Sequence, residues 1–324
     1  MQSQPLDPLD LKLLEALQLD GRAPFNRIAD VLGVSDQTVA RRFRRLRGIL
    51  HLRVLGMTDE SRLGRTTWLL RLSCTPDTAE QLANALALRP DTSYVGVISG
   101  GTEVMCAMKP ATRQARDELL LDRLQRTPRL ISVSAHCLLH RFYGGPLGWL
   151  SKINALSPGE RAALSPPPVE PGTGPVVLEA ADEALLAALA RDGRTSLTEL
   201  QASTGLSESA VRRRLDRLRS TGILYLNVQF DNEHFGNDVI AMHWLTVAPA
   251  ALAEVGRALA SHPEVRFAAA TTGRANVVAA TLHPGTGDLY TYVSDTIGAL
   301  EGVNSMETVL TLREVKQLAY EPGR

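Results

Sequence analysis

The chain has 324 residues, of which 44% are hydrophobic and 22% are charged, and its formal net charge is zero. This composition is typical of folded globular domains and excludes disordered and fibrous chains, and the length allows two or more cores of about 100–150 residues each. No apolar run approaches the ~18 residues of a membrane-spanning helix, and the N-terminus lacks a signal pattern. We therefore expect a soluble, cytoplasmic protein with no membrane partner.

The first predicted elements are three helices. Leucines at helical spacing from Leu9 to Leu17 predict a helix that ends at Asp20-Gly21, where glycine favours a left-handed cap. A second helix is predicted from about Pro24 to Leu32. Gly33-Val34 forms a turn, and Ser35 is a good N-cap for a third, arginine-rich helix. A short helix, a glycine turn and a capped basic helix indicate a helix-turn-helix of the winged type.

The third helix has a candidate DNA-binding face. Helical spacing places Val39, Phe43 and Leu46 on its buried side, so the polar residues lie on the other side. Side chains near its N-terminal end can hydrogen-bond base edges in the major groove, and the later arginines suit phosphates. The DNA-binding residues predicted here are Gln37, Thr38, Arg41, Arg42, Arg44 and Arg45.

A sheet domain follows. Its predicted elements are a strand at Thr66–Cys74, a helix at Pro76–Leu88, strands at Thr92–Ser99 and Val104–Met108, a helix at about Thr112–Arg126 and a strand at Leu130–Leu138. The order βαββαβ is that of a ferredoxin-like sandwich.

A proline-rich linker comes next. Ser157 and Glu160 can cap a short helix to about Leu164, and Pro166-Pro167-Pro168, Pro171 and Pro175 then favour extended backbone. Ten such residues reach about 30 Å, comparable with the ~34 Å between the half-sites of a two-fold helix-turn-helix dimer. The two sides of the linker can therefore pair within one chain or swap between chains, and the sequence leaves both open. Trp149 and Leu150 are expected to pack on a neighbouring domain.

The whole pattern then recurs. Asp20-Gly21-Arg22 reappears as Asp192-Gly193-Arg194, and Gly48-Ile49-Leu50 as Gly222-Ile223-Leu224. A repeat of this length indicates a duplicated domain rather than a solenoid. Of the 35 basic residues 31 are arginine, and five crowd into the third helix of each copy. The DNA-binding residues predicted in the second copy are Ser209, Arg212, Arg213 and Arg217.

The predicted fold class is α+β, with two tandem units that each join a three-helix helix-turn-helix to a ferredoxin-like βαββαβ domain. The second sheet domain is predicted as strand Val239–Val247, helix Pro249–Ser261, strands Val265–Thr272 and Val277–Leu282, helix Gly287–Leu300 and strand Val303–Arg313. The expected domains are helix-turn-helix 1 (1–55), sheet domain 1 (56–145), the linker (146–177), helix-turn-helix 2 (178–228) and sheet domain 2 (229–324).

These motifs resemble the Lrp/AsnC family of bacterial transcriptional regulators. The resemblance rests on the Leu-Asp-x-x-Leu-Leu opening, Asp-Gly-Arg, Gly-Ile-Leu and the glycine hairpin of each sheet domain. It implies binding of double-stranded DNA through the third helix, dimerisation through the sheet domains and often an amino acid effector between them. We expect a regulator that forms a homo-oligomer, a dimer or tetramer of the fused chain, and that is not an enzyme and has no metal or cofactor.

The resemblance also implies effector residues at the two hairpins. In the family this hairpin tends to read Gly-x-x-Asp, whereas the matching stretches here are 100–103 and 273–276, neither of which has the aspartate. Glu103 could take an ammonium, and Arg274 a carboxylate or phosphate. The alternative is that these glycines only turn a hairpin. The effector-binding residues predicted are Gly100, Gly101, Thr102, Glu103, Thr272, Gly273, Arg274 and Asn276.

Two other functional classes stay open. Fused pairs of this architecture include proteins similar to sirohaem decarboxylases, which look recognisable by His-x-Tyr-Asn-x-Trp-Phe on the first sheet strand. The corresponding stretches, 66–70 and 240–244, do not match, and His243 is expected to be a structural residue. A third class is an assembly partner that heterodimerises with other family members.

The two DNA-binding faces differ, which predicts an asymmetric operator. Gln37, Thr38 and Arg44 are replaced by Ser209, Ala210 and Asp216 in the second copy. We therefore expect two unlike half-sites, with the second copy binding less tightly, so that Arg41→Ala or Arg45→Ala weakens binding more than Arg217→Ala.

Overall fold

The computed structural model describes residues 6–169 and 176–319. The first copy begins with helices α1 (Pro8–Leu19), α2 (Phe25–Leu32) and α3 (Asp36–Ile49) and strand β1 (Arg53–Thr58). It continues with β2 (Trp68–Cys74), α4 (Pro76–Ala87), β3 (Thr92–Ile98), β4 (Glu103–Met108), α5 (Arg113–Asp117) and β5 (Leu130–Tyr143). Helix α6 (Pro158–Leu164) lies in the linker, as expected, while Pro171 and Pro175 fall outside the described residues.

The second copy repeats this order. Its helices α7 (Ala180–Arg191), α8 (Leu197–Thr204) and α9 (Glu208–Ser220) precede strand β6 (Leu224–Gln229). Its sheet elements are β7 (Val239–Val247), α10 (Leu252–Ser261), β8 (Val265–Thr271), β9 (Val277–His283), α11 (Thr286–Thr291) and β10 (Val303–Lys316). The predicted α+β class with two helix-turn-helix and sheet-domain units is confirmed.

The predicted serine caps explain where α3 and α9, the third helix of each copy and its candidate recognition helix, begin. Ser35 Oγ accepts a hydrogen bond from the Thr38 amide at 3.2 Å, and Ser207 Oγ accepts one from the Ala210 amide at 3.4 Å. Each cap satisfies one of the unpaired amides of a first helical turn. The preceding helix ends in both copies at a left-handed glycine, Gly33 with φ 66° or Gly205 with φ 69°.

Gly21 does not form the left-handed helix cap that the sequence predicts. The first helix ends at Asp20 in extended conformation, and Gly21 is not left-handed. A Cβ on Gly21 would lie 2.5 Å from Val54 Cγ1 and 3.2 Å from Leu226 Cβ. The glycine is therefore required by the close approach of the loop to other strands rather than by a cap.

The chain divides into two compact units that do not coincide with the two copies. One contains residues 6–64 and Gly145–Phe235, and therefore holds both helix-turn-helix motifs and the linker helix. The other contains Arg65–Gly144 and 236–319, and holds both sheet domains.

In the helix-turn-helix unit the two copies share a two-stranded antiparallel ribbon. Strand β1 pairs with β6 from Arg53 opposite Gln229 to Thr58 opposite Leu224. The sequence alone does not predict either strand, because each pairs with a strand of the other copy. The apolar faces predicted for the third helix of each copy are buried. In α3, Val39 and Leu46 are buried fully and Phe43 partly. In α9, the buried residues are Val211, Leu215 and Leu218.

The segment before the linker prolines belongs to the core of the first helix-turn-helix. Leu150, Leu156 and Leu164 are buried with the leucines of α1. The carboxylate of Glu15, fully buried in α1, accepts hydrogen bonds from the amides of Ala155 at 2.7 Å and Leu156 at 2.9 Å. The Trp149 ring stacks on Phe230 with ring centroids 6.1 Å apart.

In the sheet unit eight strands close a barrel in the order β10-β3-β4-β2-β5-β8-β9-β7. Each copy supplies four adjacent strands in ferredoxin-like order. The last strand of each copy is longer than predicted because its C-terminal part crosses to the other copy. Leu138–Tyr143 of β5 pairs with β8, and Thr311–Lys316 of β10 pairs with β3.

Candidate nucleic-acid interface and effector hairpins

The predicted DNA-binding face of α3 is partly open to solvent. Gln37, Arg41 and Arg44 are exposed, and Thr38 is half-buried with its hydroxyl 2.9 Å from that of Ser35. Arg44 donates Nε to the Ala40 carbonyl one turn earlier at 3.4 Å. Within the described ranges Arg41 makes no hydrogen bond or ion pair. Exposed guanidinium groups of this kind can reach a phosphate or a guanine edge.

The other two predicted arginines of α3 have partners inside the motif. Arg42 Nη1 lies 2.5 Å from Asp7 Oδ2 and 2.8 Å from Asp10 Oδ1, and Arg45 forms an ion pair with the other oxygen of Asp10. Asp10 is fully buried at the start of α1. The two guanidinium groups therefore fasten α3 to α1 and neutralise a buried carboxylate.

The same fastening occurs in the second copy. Arg214 lies 2.6 Å from Glu179 and 3.0 Å from Asp182, and Arg217 lies 2.5 Å from Asp182, which is fully buried. Burial by itself raises the pKa of Asp182, but hydrogen bonds from the Glu179 amide and the two arginines outweigh it and lower that pKa. The predicted DNA-binding residue Arg217 is thus a counterpart of Arg45 in structure.

Fewer cations are free on α9 than on α3. Ser209 and Arg213 are exposed, but Arg212 is ion-paired with Glu208 at 2.6 Å, four residues earlier. Exposed Asp216 stands where α3 has Arg44. The second recognition face is consequently less positive than the first.

The Asp-Gly-Arg motifs join the two helix-turn-helix motifs. Arg22 Nη1 donates to the carbonyls of Gly193 at 2.8 Å and Thr195 at 2.9 Å. Reciprocally, Arg194 donates to the carbonyls of Gly21 at 2.6 Å and Ala23 at 3.1 Å. The repeated Asp-Gly-Arg motif is evident in the sequence, but the role of its arginines becomes visible only in the structure.

The pairing region is rich in partly buried positive charge. Burial lowers the pKa of Arg22, and neighbouring Arg219 lowers it further. The pKa of Arg194 is lowered by burial and then by Arg22. Arg219 is ion-paired with Asp20 at 2.9 Å, and the Arg194 guanidinium lies 4.5 Å from the centroid of the Phe25 ring. These contacts compensate for the accumulation of like charge.

In the first hairpin the carboxylate of Glu103, the candidate group for binding an ammonium, is already bound by Arg71. Gly100 and Gly101 have φ of 67° and 85°, and the Thr102 hydroxyl donates to the Ser99 carbonyl at 2.7 Å. Glu103 accepts two hydrogen bonds from Arg71, at 3.0 and 2.8 Å, and others from the hydroxyls of Ser73 and Ser99. Burial raises the pKa of Glu103, but the bonds from Arg71 and Ser99 lower it more. An ammonium ligand would have to compete with Arg71.

The second hairpin leaves one charged group open. Thr272 Oγ1 accepts from the Cys137 amide at 2.8 Å, and the Asn276 side chain bonds both the amide and the carbonyl of Val247 at 2.8 Å. Gly273 has φ 115°. Arg274 is exposed, and its guanidinium has no hydrogen bond or ion pair among residues 6–169 and 176–319.

His243 lies in a polar cluster inside the second sheet domain. It is fully buried, with Nδ1 2.9 Å from Thr308 Oγ1 and Nε2 2.9 Å from Thr281 Oγ1. Burial, and to a smaller extent His283, lowers its pKa to about 4. Both ring nitrogens are engaged by hydroxyl groups, which supports the structural role expected from the sequence.

Comparison with known families decides the relationship. The AsnC-type helix-turn-helix model matches residues 6–47, a winged helix-turn-helix DNA-binding model matches 178–225, and the Lrp/AsnC ligand-binding-domain model matches 240–320. The first helix-turn-helix and the second sheet domain are therefore of the Lrp/AsnC type. The two helix-turn-helix matches agree with a tandem duplication. The family supports a DNA-binding transcriptional regulator, and its ligand-binding domain implies a small-molecule effector.

The curated relatives match less than half of the chain. The HTH-type transcriptional regulator FL11 of Pyrococcus furiosus is 28% identical over 147 residues, which cover 45% of this chain and 97% of that regulator. The regulator LrpA of Pyrococcus horikoshii is 26% identical over 141 residues, or 43% of this chain and all of LrpA. The present chain is therefore about twice as long as these relatives.

A solved structure resembles the chain over both copies. The crystal structure of the siroheme decarboxylase NirDL covers 98% of this chain and 95% of its own, with a TM-score of 0.66 and 16% sequence identity. At this identity the likeness shows the fold alone. In the described part of the chain no helix is long and apolar enough to cross a membrane.

Proposed function

We propose that this chain regulates transcription by binding one DNA site with both of its recognition helices, as an asymmetric pseudo-dimer. The reciprocal bonds of Arg22 and Arg194 carry the proposal, because they join the two helix-turn-helix motifs inside one chain. In a single-copy regulator two identical chains would have to meet to present two recognition helices. Here one chain supplies both.

The proposed operator has unlike halves. The first helix offers Gln37, Arg41 and Arg44 to DNA, whereas the second offers Ser209, Arg213 and Asp216. An amide or guanidinium reads base edges that a serine hydroxyl does not distinguish, and an acid near phosphates weakens binding. The first half-site should therefore contribute most of the specificity and affinity.

Stoichiometry on DNA tests the proposal directly. The full chain would be bound to a fragment selected for binding, and the mass of the complex would be measured by native mass spectrometry. One chain per operator supports the pseudo-dimer. Two chains as the smallest complex that protects both half-sites would reject it, and an absence of any sequence-selective complex would reject the regulatory role.

A small anionic or zwitterionic metabolite, such as an amino acid, is the proposed effector. Arg274 supports this proposal because its exposed guanidinium matches a carboxylate. Calorimetry against the amino acids and metabolites of the host, repeated with Arg274→Ala, is the test. The proposal requires heat that is lost in the variant and a shift in DNA affinity; no heat with the unmodified chain would reject it.

A tetrapyrrole decarboxylase is the second candidate, because the siroheme decarboxylase NirDL shares the fold of both copies. Its expected histidine and tyrosine are lacking at 66–70. His243 is held by two threonine hydroxyls in the interior. Exposed arginines on α3 also have no part in such a reaction. A shift in the absorbance of added tetrapyrrole with the full chain, without DNA binding, would favour the decarboxylase instead.

A further inference from the structure

The two copies are not interchangeable where their sheet domains meet. The strand registers define equivalent positions. Arg71 pairs with Met105 and Ser134, while Trp244 pairs with Val278 and Glu307. Trp244 therefore occupies in the second copy the position of Arg71 in the first, and Glu307 occupies that of Ser134.

The first asymmetric contact is a double ion pair across the copies. Arg71 Nη1 and Nη2 donate to the two carboxylate oxygens of Glu307 at 2.7 and 2.6 Å, while Nε and Nη2 also hold Glu103. The guanidinium carbon lies 5.9 Å from the centroid of the Trp244 ring. At the equivalent position Trp244 and Ser134 cannot form this pair. Among the described residues, a cation that bridges two carboxylates and faces an aromatic ring thus exists on one side of the barrel only.

The second asymmetric contact is a lysine at a helix end. Lys316, at the end of β10, is buried, and its ammonium donates to the carbonyls of Ala87 at 3.1 Å and Arg89 at 2.9 Å and to Thr92 Oγ1 at 3.1 Å. The two carbonyls lie at the C-terminal end of α4 in the first copy, and Thr92 is the first residue of β3. The free carbonyls and the dipole of a helix C-terminus favour a cation there.

Lys316 also has an unlike equivalent. It pairs with Val95 in β3, and Tyr143 pairs with Ala268 in β8, so the registers place Tyr143 of the first copy where the second has Lys316. Tyr143 is buried in the apolar core of the second sheet domain. The end of β5 therefore places an aromatic ring in an apolar core, whereas the end of β10 places a buried ammonium against carbonyl oxygens.

We infer that the Arg71–Glu307 and Lys316 contacts together determine which sheet domains pair, and we call them the pairing code. They make the second sheet domain a specific partner of the first and a poor partner of a second copy of itself. Two first-copy domains would place Arg71 opposite serine and would have no lysine for the end of α4. Two second-copy domains would leave each Glu307 beside tryptophan, without a cation. Specificity of this kind requires unpaired charges in the wrong complex as well as good contacts in the right one. It does not depend on DNA binding.

Exchange between nicked chains tests the pairing code. A protease site would replace residues 170–175 of the full chain, and after cleavage the protein would be unfolded in urea and refolded by dilution. The two fragments differ in mass, so native mass spectrometry separates mixed from homotypic pairs. We expect mixed pairs in about tenfold or greater excess over homotypic pairs. Equal amounts of mixed and homotypic pairs, the statistical proportion, would overturn the inference without any substitution.

A symmetrised variant separates the code from the contacts between the helix-turn-helix motifs. Glu307→Ser with Lys316→Tyr gives the second copy the residues that the first already carries at those positions. We expect the excess of mixed pairs to fall about tenfold. The matched control, Glu301→Ser with Arg257→Tyr, changes surface positions outside both contacts and should retain the excess. An unchanged excess in the symmetrised variant would show that these residues do not encode the pairing.

Discussion

Arg22 and Arg194 each donate two hydrogen bonds to backbone carbonyls next to the other, and so bind the two helix-turn-helix motifs together from both sides. The glycine of each Asp-Gly-Arg motif lets the loop approach the β1–β6 ribbon closely. The motif that repeats most clearly in the sequence is therefore a pairing element. Its arginines are not on the exposed faces of α3 and α9.

Removal of this pairing should lower both stability and DNA affinity. Arg22→Ala leaves the carbonyls of Gly193 and Thr195 without their charged donor, which should decrease the free energy of unfolding by about 2 kcal/mol. Urea denaturation measures this loss. Arg213→Ala is the control, since that arginine is exposed and should leave stability unchanged while weakening DNA binding. Equal stability of the two variants would argue against a pairing role for Arg22.

Arg41 of α3 should contribute more to DNA affinity than Arg213, its counterpart in α9. Arg41→Ala should reduce affinity about tenfold and lower the slope of log affinity against log salt by about one, because one contact to DNA is lost. Arg213→Ala should have a smaller effect, since Asp216 already weakens that face. Fluorescence anisotropy at several salt concentrations measures both. Equal losses would contradict the asymmetry.

Arg45 and Arg217 should behave differently from Arg41. Each is fastened to a fully buried aspartate, Asp10 or Asp182. Substitution by alanine should destabilise the protein on the order of 2 kcal/mol, less than for an isolated buried pair because Arg42 or Arg214 still contacts the carboxylate. Thermal melting followed by circular dichroism tests this. A loss of DNA affinity with an unchanged melting temperature would show instead that Arg45 and Arg217 contact DNA directly.

Strengthening the weak half is a complementary prediction. Asp216→Arg gives α9 the residue that α3 has at the equivalent position, removing a negative charge and adding a positive one. We expect affinity to rise, with a steeper salt dependence, and the two half-sites to become more nearly equal in footprinting. Asp295→Arg, in the sheet unit, is a control for net charge. If both variants raise affinity equally, the effect is one of total charge.

The buried histidine predicts acid instability. The pKa of His243 is lowered to about 4 in the folded chain from an ordinary value of 6.5, so the unfolded chain binds a proton that the folded chain excludes between these values. Stability should therefore fall as pH falls from 6.5 to 4, by about 3 kcal/mol from this group. His243→Leu, which copies Leu70 of the first copy, should flatten that dependence in denaturation curves. His140→Gln, at an exposed position, should leave it intact.

Local signals predicted most of the elements, and long-range pairing explains what they missed. The serine caps and glycine turns identified both recognition helices because their partners lie within a few residues. Strands β1 and β6 and the ends of β5 and β10 escaped prediction since each pairs with the other copy. The same holds for Arg42 and Arg45, which read as exposed cations until α1 brings Asp10 against them. At the first hairpin, the sequence does not show that Arg71, 32 residues away, already binds the carboxylate of Glu103.

Selection of bound fragments from the host genome, followed by footprinting of the full chain, tests the central claim most directly. The pseudo-dimer predicts one enriched site with two unlike half-sites spaced by about one helical turn, or ~34 Å, and stronger protection of one half than of the other. An enriched perfect palindrome with equal protection of both halves would contradict the asymmetric pseudo-dimer, and no enrichment at all would contradict DNA recognition by this chain.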